Sequence, residues 1–188
     1  MLFRSYRARG EASFRADTEH TFHTQRAPGS EFTFVIQADP HLDDNSSTAV
    51  YTQTLQNILA DRPDFLIDVG DTSMGEKCAV SGTVLCASPS PATEASVGAR
   101  MSLARGYLEK AAHSVPLFLV LGNHDGEAGW ATPAAPDLDL WSVTARKAAF
   151  PNPEPDRFYS GSSESVPRIG LRQDRKSTRL NSSHVSES

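Results

Sequence analysis

The sequence predicts an α/β domain built on a parallel β-α-β-α-β core. Three observations carry that prediction: three short apolar runs of strand length, helical spacing of apolar residues between successive runs, and a polar cluster at the carboxyl end of every run. Runs that are apolar throughout, rather than alternating, are expected of parallel strands covered on both faces.

The first run, Phe32-Thr33-Phe34-Val35-Ile36-Gln37-Ala38, is rich in aromatic and β-branched residues and ends in Asp39. Behind the capping-prone Asp43-Asp44-Asn45-Ser46, residues Tyr51, Leu55, Ile58 and Leu59 recur at helical spacing, and Pro63 closes the segment. Phe65-Leu66-Ile67-Asp68-Val69 is the second strand and ends at Gly70-Asp71. A Ser-, Pro- and Ala-rich stretch then runs from Thr72 to about Thr93. A connection of that length is expected to be functional, for instance as a gate over the edge that holds Asp71. Met101, Ala104, Leu108 and Ala111 mark the second helix, with Pro116 beyond its end. His113, at that end, is read as structural, since a cation there suits the helix dipole. Leu117-Phe118-Leu119-Val120-Leu121 is the third strand and ends at Gly122-Asn123-His124-Asp125. Beyond it, Trp130, Trp141, Phe158 and Tyr159 border or lie in a Pro-rich region, 131–161, and are expected to pack over the sheet rather than to wall a substrate cleft, the alternative reading.

At the amino end, Leu2–Arg9 and His20–Gln25 alternate apolar with polar residues as strands do, and Arg26-Ala27-Pro28-Gly29-Ser30 reads as a linker. His20 and His23 fall on opposite faces of such a strand, which argues against a shared metal. Cys78 and Cys86 sit in the long Ser-rich stretch, at a spacing that fits no zinc motif, and would close a surface loop in an exported protein. At the other end, Asp174 to His184 resembles the translation of a sequencing adapter, so native sequence is expected to stop near Gln173. The expected organisation is a β-rich segment and linker over 1–31, one catalytic domain over 32–173, and a non-native tail over 174–188.

Composition excludes some partners. With 18 basic against 23 acidic residues, a net charge of −5, nothing argues for nucleic acid. The longest apolar run, Val115 to Leu121, falls far short of the roughly 20 residues that span a bilayer. No signal segment follows Met1, although the cysteine pair and the β segment point toward export. Oligomeric state is not legible.

The chemistry concentrates at the strand ends: Asp39-Pro40-His41, Gly70-Asp71 and Gly122-Asn123-His124-Asp125. Carboxylate, imidazole and amide oxygen make a mixed ligand set suited to Zn, Mn or Fe. Alternation along an extended chain would point Asp39 and His41 the same way, toward one ion. Glycine before Asp71 and before Asn123 permits tight turns where the side chains must converge. Singly these signals are weak, since D-x-H is mostly accidental and Gly-Asp is usually a capped turn. All three in order, each at a strand end, are far more specific.

This order of D-x-H, G-D and G-N-H-[DE] resembles the signature of calcineurin-like metallophosphoesterases, over about residues 32–126. The resemblance implies half of a β-sandwich flanked by helices, and a phosphate-ester substrate hydrolysed with two divalent metal ions (Mn, Zn or Fe). It implies that Asp39 and His41 bind the first metal, that Asp71 bridges both, and that Asn123 binds the second. It makes His124 a general acid or transition-state stabiliser, oriented by Asp125. The amino-terminal segment is similar to the closing hairpin of the fibronectin-type domain that precedes the catalytic domain in some relatives. Two departures matter. The family completes its site with a further histidine and a G-H-x-H motif, whereas the only histidine after His124 is His184. The chain is therefore expected to hold half a metal site and to hydrolyse nothing at a useful rate. Purple acid phosphatases place a metal-binding tyrosine three residues after the bridging aspartate, where this chain has Met74. An iron–tyrosinate centre is not expected. The rival readings are a non-catalytic α/β binding module with a vestigial half-site, and an interaction protein that works through its amino-terminal β segment.

Overall fold

The computed structural model describes residues 22, 25–43, 45–75, 92–125 and 135–150. The expected strand Leu2–Arg9, His20 and His23, the cysteine pair, Trp130, Phe158, Tyr159 and the tail from Asp174 lie outside them, as does most of the Thr72–Thr93 connection. The elements are β1 (Phe34–Gln37), α1 (Thr48–Asp61), β2 (Phe65–Asp68), α2 (Glu94–Ala112), β3 (Leu117–Leu119) and α3 (Leu138–Ala149).

The three strands form a parallel sheet in the order β1-β2-β3. Val35 lies opposite Leu66 and Gln37 opposite Asp68, while Leu66 pairs with Leu117 and Asp68 with Leu119. Those residues share one face. Leu66 is wholly buried there, against Leu55 and Ile58 of α1 and against Ala111 and Val115. The first two helices have clear starts. The Ser47 hydroxyl caps α1 by accepting from the Val50 N–H. A reciprocal capping box caps α2, in which the Ser96 N–H donates to Thr93 Oγ1 at 3.1 Å and the Thr93 N–H to Ser96 Oγ at 2.8 Å. α1 closes in Arg62, which takes a left-handed backbone (φ 51°) before Pro63.

Among the described residues, the helices cover one face of the sheet. Among the described residues, the opposite face leaves Phe34 44% exposed, Ile36 57% and Phe118 55%. The phenylalanines form an aromatic layer with Phe65, in which Phe34 stacks on Phe65 at 5.3 Å and Phe118 meets Phe65 edge-on at 5.8 Å. The cause is topological. Both crossovers step in the same direction along the sheet, and right-handed connections then place α1 and α2 on the same face.

The third helix was not legible among the prolines. Its Leu138, with Trp141 and Ala145, packs on Ala92 and Val97 at the start of α2, so Trp141 serves packing. The linker reading is also refined. Residues Ala27–Ser30 form a turn closed by a Ser30 N–H to Ala27 carbonyl bond, and Asp64 then ties the chain down by accepting from Arg26 Nε at 2.6 Å and the Thr33 N–H at 2.9 Å. No helix among the described residues is long and apolar enough to cross a membrane.

Candidate metal centre

All three polar clusters lie at the carboxyl edge of the sheet, where the ends of adjacent parallel strands converge. Asp39, His41 and Asp71 each offer a ligand atom, and these atoms lie within 4.8 Å of one another. His41 Nε2 is 3.5 Å from Asp39 Oδ1 and 3.9 Å from Asp71 Oδ2. That nitrogen is buried and has no hydrogen-bond partner. A buried imidazole nitrogen that faces two carboxylates and makes no hydrogen bond is costly in a purely structural role and suits a metal ligand. The donor set of two carboxylates and one imidazole thus fits a divalent cation.

Strand alternation is not what brings Asp39 and His41 together. β1 ends at Gln37, and Asp39, His41 and Leu42 all take positive φ, at 56°, 53° and 50°. Asp71 does the same at 51°. Non-glycine residues in this region cost about 1–3 kcal/mol each, and such strain gathers at functional sites. The strained loops are laced together by backbone bonds: the Asp39 N–H donates to the Gly70 carbonyl at 3.1 Å and the His41 N–H to the Asp71 carbonyl at 3.0 Å. Arg100, buried on α2, donates to the Leu42 carbonyl at 3.3 Å.

The glycines act through close approach as well as through turns. A Cβ on Gly70 would overlap the backbone of Gly122, and one on Gly122 would overlap Asp71. Gly70 also has φ 101°, open to glycine alone at no strain. At this contact Asp71 Oδ1 accepts from the His124 N–H at 2.7 Å, and Asp125 Oδ2 accepts from the Asp71 N–H at 3.0 Å. The two aspartates therefore clasp each other's loops.

His124 sits beside the ligand group, its ring centroid 5.5 Å from that of His41. Asn123 is exposed in the same turn. Asp125, expected to orient His124, accepts on its buried carboxylate from four backbone amides: Gly122 and Asp71 on Oδ2, Thr72 and Ser73 on Oδ1. Met74, in the position of the purple-acid-phosphatase tyrosine, is buried, and its N–H donates to the His41 carbonyl at 3.2 Å. His113 caps the end of α2 with Nδ1 2.7 Å from Ser114 Oγ, as its structural reading requires.

One participant escaped the sequence reading. Asp68 was read as one more residue of an apolar strand, yet it is fully buried behind the site and bonded to Gln37, Gly70 and Thr72. The signal was a lone carboxylate inside a run otherwise apolar. Burial pushes the Asp68 carboxyl above the usual range, against the opposing pull of its hydrogen bonds and of Arg146. Burial likewise raises Asp125, again opposed by its amide bonds and by Arg146. Burial also pushes the Tyr51 phenol up.

A family model described as calcineurin-like phosphoesterase matches residues 32–179. No curated protein and no solved structure matches the chain significantly.

Proposed function

The chain belongs to the calcineurin-like phosphoesterase family, and from that premise we propose that it carries the amino-terminal half of a dinuclear metal site for phosphate-ester hydrolysis. Asp39 and His41 would hold the first cation, Asp71 would bridge to the second, and Asn123 would complete this chain's share of the second. When bound, the two cations supply Lewis-acid activation of water and offset charge on the phosphoryl oxygens. His124, next to His41, donates a proton to the leaving oxygen of the ester. Asp125 keeps the His124 turn and the Asp71 loop in one piece through its amide bonds. With no histidine between His124 and His184, this chain alone is expected to bind metal weakly and to turn over slowly.

The observation that carries the reading is the buried Nε2 of His41, which makes no hydrogen bond and lies between the Asp39 and Asp71 carboxylates. Mn²⁺ titration tests it directly. The chain should bind Mn²⁺, and Asp71→Asn should lower the affinity at least tenfold, about 1.4 kcal/mol. Equal binding by the two proteins would sink the metal assignment and favour a non-catalytic module.

A further inference from the structure

Asp68 is absent from the ligand group, and nothing in the proposed chemistry uses it, yet its carboxylate is fully engaged. Oδ1 accepts from the Gly70 N–H at 3.0 Å and from the Thr72 hydroxyl at 3.0 Å. Oδ2 accepts from Gln37 Nε2 at 2.6 Å, and the same nitrogen donates to the Tyr51 hydroxyl at 3.1 Å. Gly70 and Thr72 are the residues on either side of Asp71. Asp68 therefore holds the loop immediately before and after Asp71 from inside the sheet, while Asp125 holds the N–H groups of Asp71, Thr72 and Ser73 from the β3 side. Between them, two buried carboxylates take four successive backbone amides, those of residues 70 to 73.

We propose that Asp68 is a positioning residue for Asp71, holding it through the Gly70 N–H and the Thr72 hydroxyl in the left-handed backbone that aims its carboxylate toward His41. The proposal rests on the metal reading above. Burying a carboxylate costs free energy that an apolar residue of similar size would avoid. Such a residue would leave the Gly70 N–H and the Thr72 hydroxyl without this acceptor. The role depends on acceptor atoms and not on charge. Gln37 Oε1 is buried without a partner, so an amide at position 68 finds an acceptor once the Gln37 amide turns over.

The test is Mn²⁺ titration of the whole chain, read from the electron paramagnetic resonance of free Mn²⁺, with a thermal melt of every variant. Asp68→Ala removes both acceptors and should weaken Mn²⁺ binding at least tenfold. Asp68→Asn keeps one oxygen on Gly70 and Thr72 and should bind within threefold of wild type. Thr72→Val removes one donor, should lose affinity about threefold, and stands in if Asp68→Ala does not fold. Asp71→Asn reports on the site itself. If Asp71→Asn loses affinity while Asp68→Ala and Thr72→Val keep it, Asp68 is merely a buried residue and the positioning role is overturned. If Asp68→Asn falls as far as Asp68→Ala, charge is responsible and the hydrogen-bond mechanism is overturned. If Asp71→Asn binds like wild type, the metal reading itself has failed, and the positioning role with it.

Discussion

At the scale of single residues, the site is two strained aspartates and one strained histidine held by other aspartates. Asp39, His41 and Asp71 were legible as candidate ligands because such residues repeat a small vocabulary at strand ends. Asp68 and Arg100 were not, because each depends on a partner brought near only by the fold, the Gln37 side chain for Asp68 and the Leu42 carbonyl for Arg100. The conformation that unites Asp39 with His41 was also hidden: positive φ at non-glycine residues leaves no mark in residue type. Burial of Asp68 has a consequence for pH. Its folded-state pKa is raised, chiefly by desolvation and against hydrogen bonds from Gln37, Gly70 and Thr72 and the charge of Arg146. Between the ordinary carboxylate value and the raised one, the folded chain binds more protons than the unfolded chain, so stability falls as pH rises through that interval. Asp68→Asn removes this dependence. Its melting temperature relative to wild type, measured in chelator, should be higher at pH 7 than at pH 4, and a constant difference would contradict the assignment.

At the scale of elements, strand and helix order followed from periodicity, but boundaries followed from capping. β1 and β3 are shorter than their apolar runs, because the chain must leave the sheet before Asp39 and Gly122 to bring their loops together. α2 begins well before the first apolar residue singled out, at a Thr93–Ser96 box. Serine in place of the usual Glu or Gln at the third position concealed that box. Thr93→Ala should cost about 1 kcal/mol in urea unfolding, since it removes one cap acceptor and leaves the Ser96 side. α3 escaped notice because it lies between Pro136 and Pro151 and was read with them as one Pro-rich region, although its apolar stripe is well marked.

At the scale of the whole molecule, the described helices cover one face of the sheet and leave the other to be accounted for. Apolar character on both sides of each strand signals that both faces will be covered, but not by what. Connection handedness already placed both helices on one side. The other side keeps Phe34, Ile36 and Phe118 exposed. Phe118→Ser, at such a position, should change unfolding free energy by no more than about 1 kcal/mol. It should also lower the fluorescence of a bound hydrophobic dye, whereas a large loss of stability would mean that the face is covered in solution.

The contact of Gly70 with Gly122 has one further consequence, for motion. Two backbones that touch with no side chain between them, and that exchange Asp71 and Asp125 bonds across the contact, have no hinge separating them. Local opening that frees the His124 amide must also free that of Asp71, so the two strand ends form one cooperative unit rather than two fluctuating loops. A substrate would then meet Asp71 and His124 already in their working relation, and any gating must come from elsewhere in the chain.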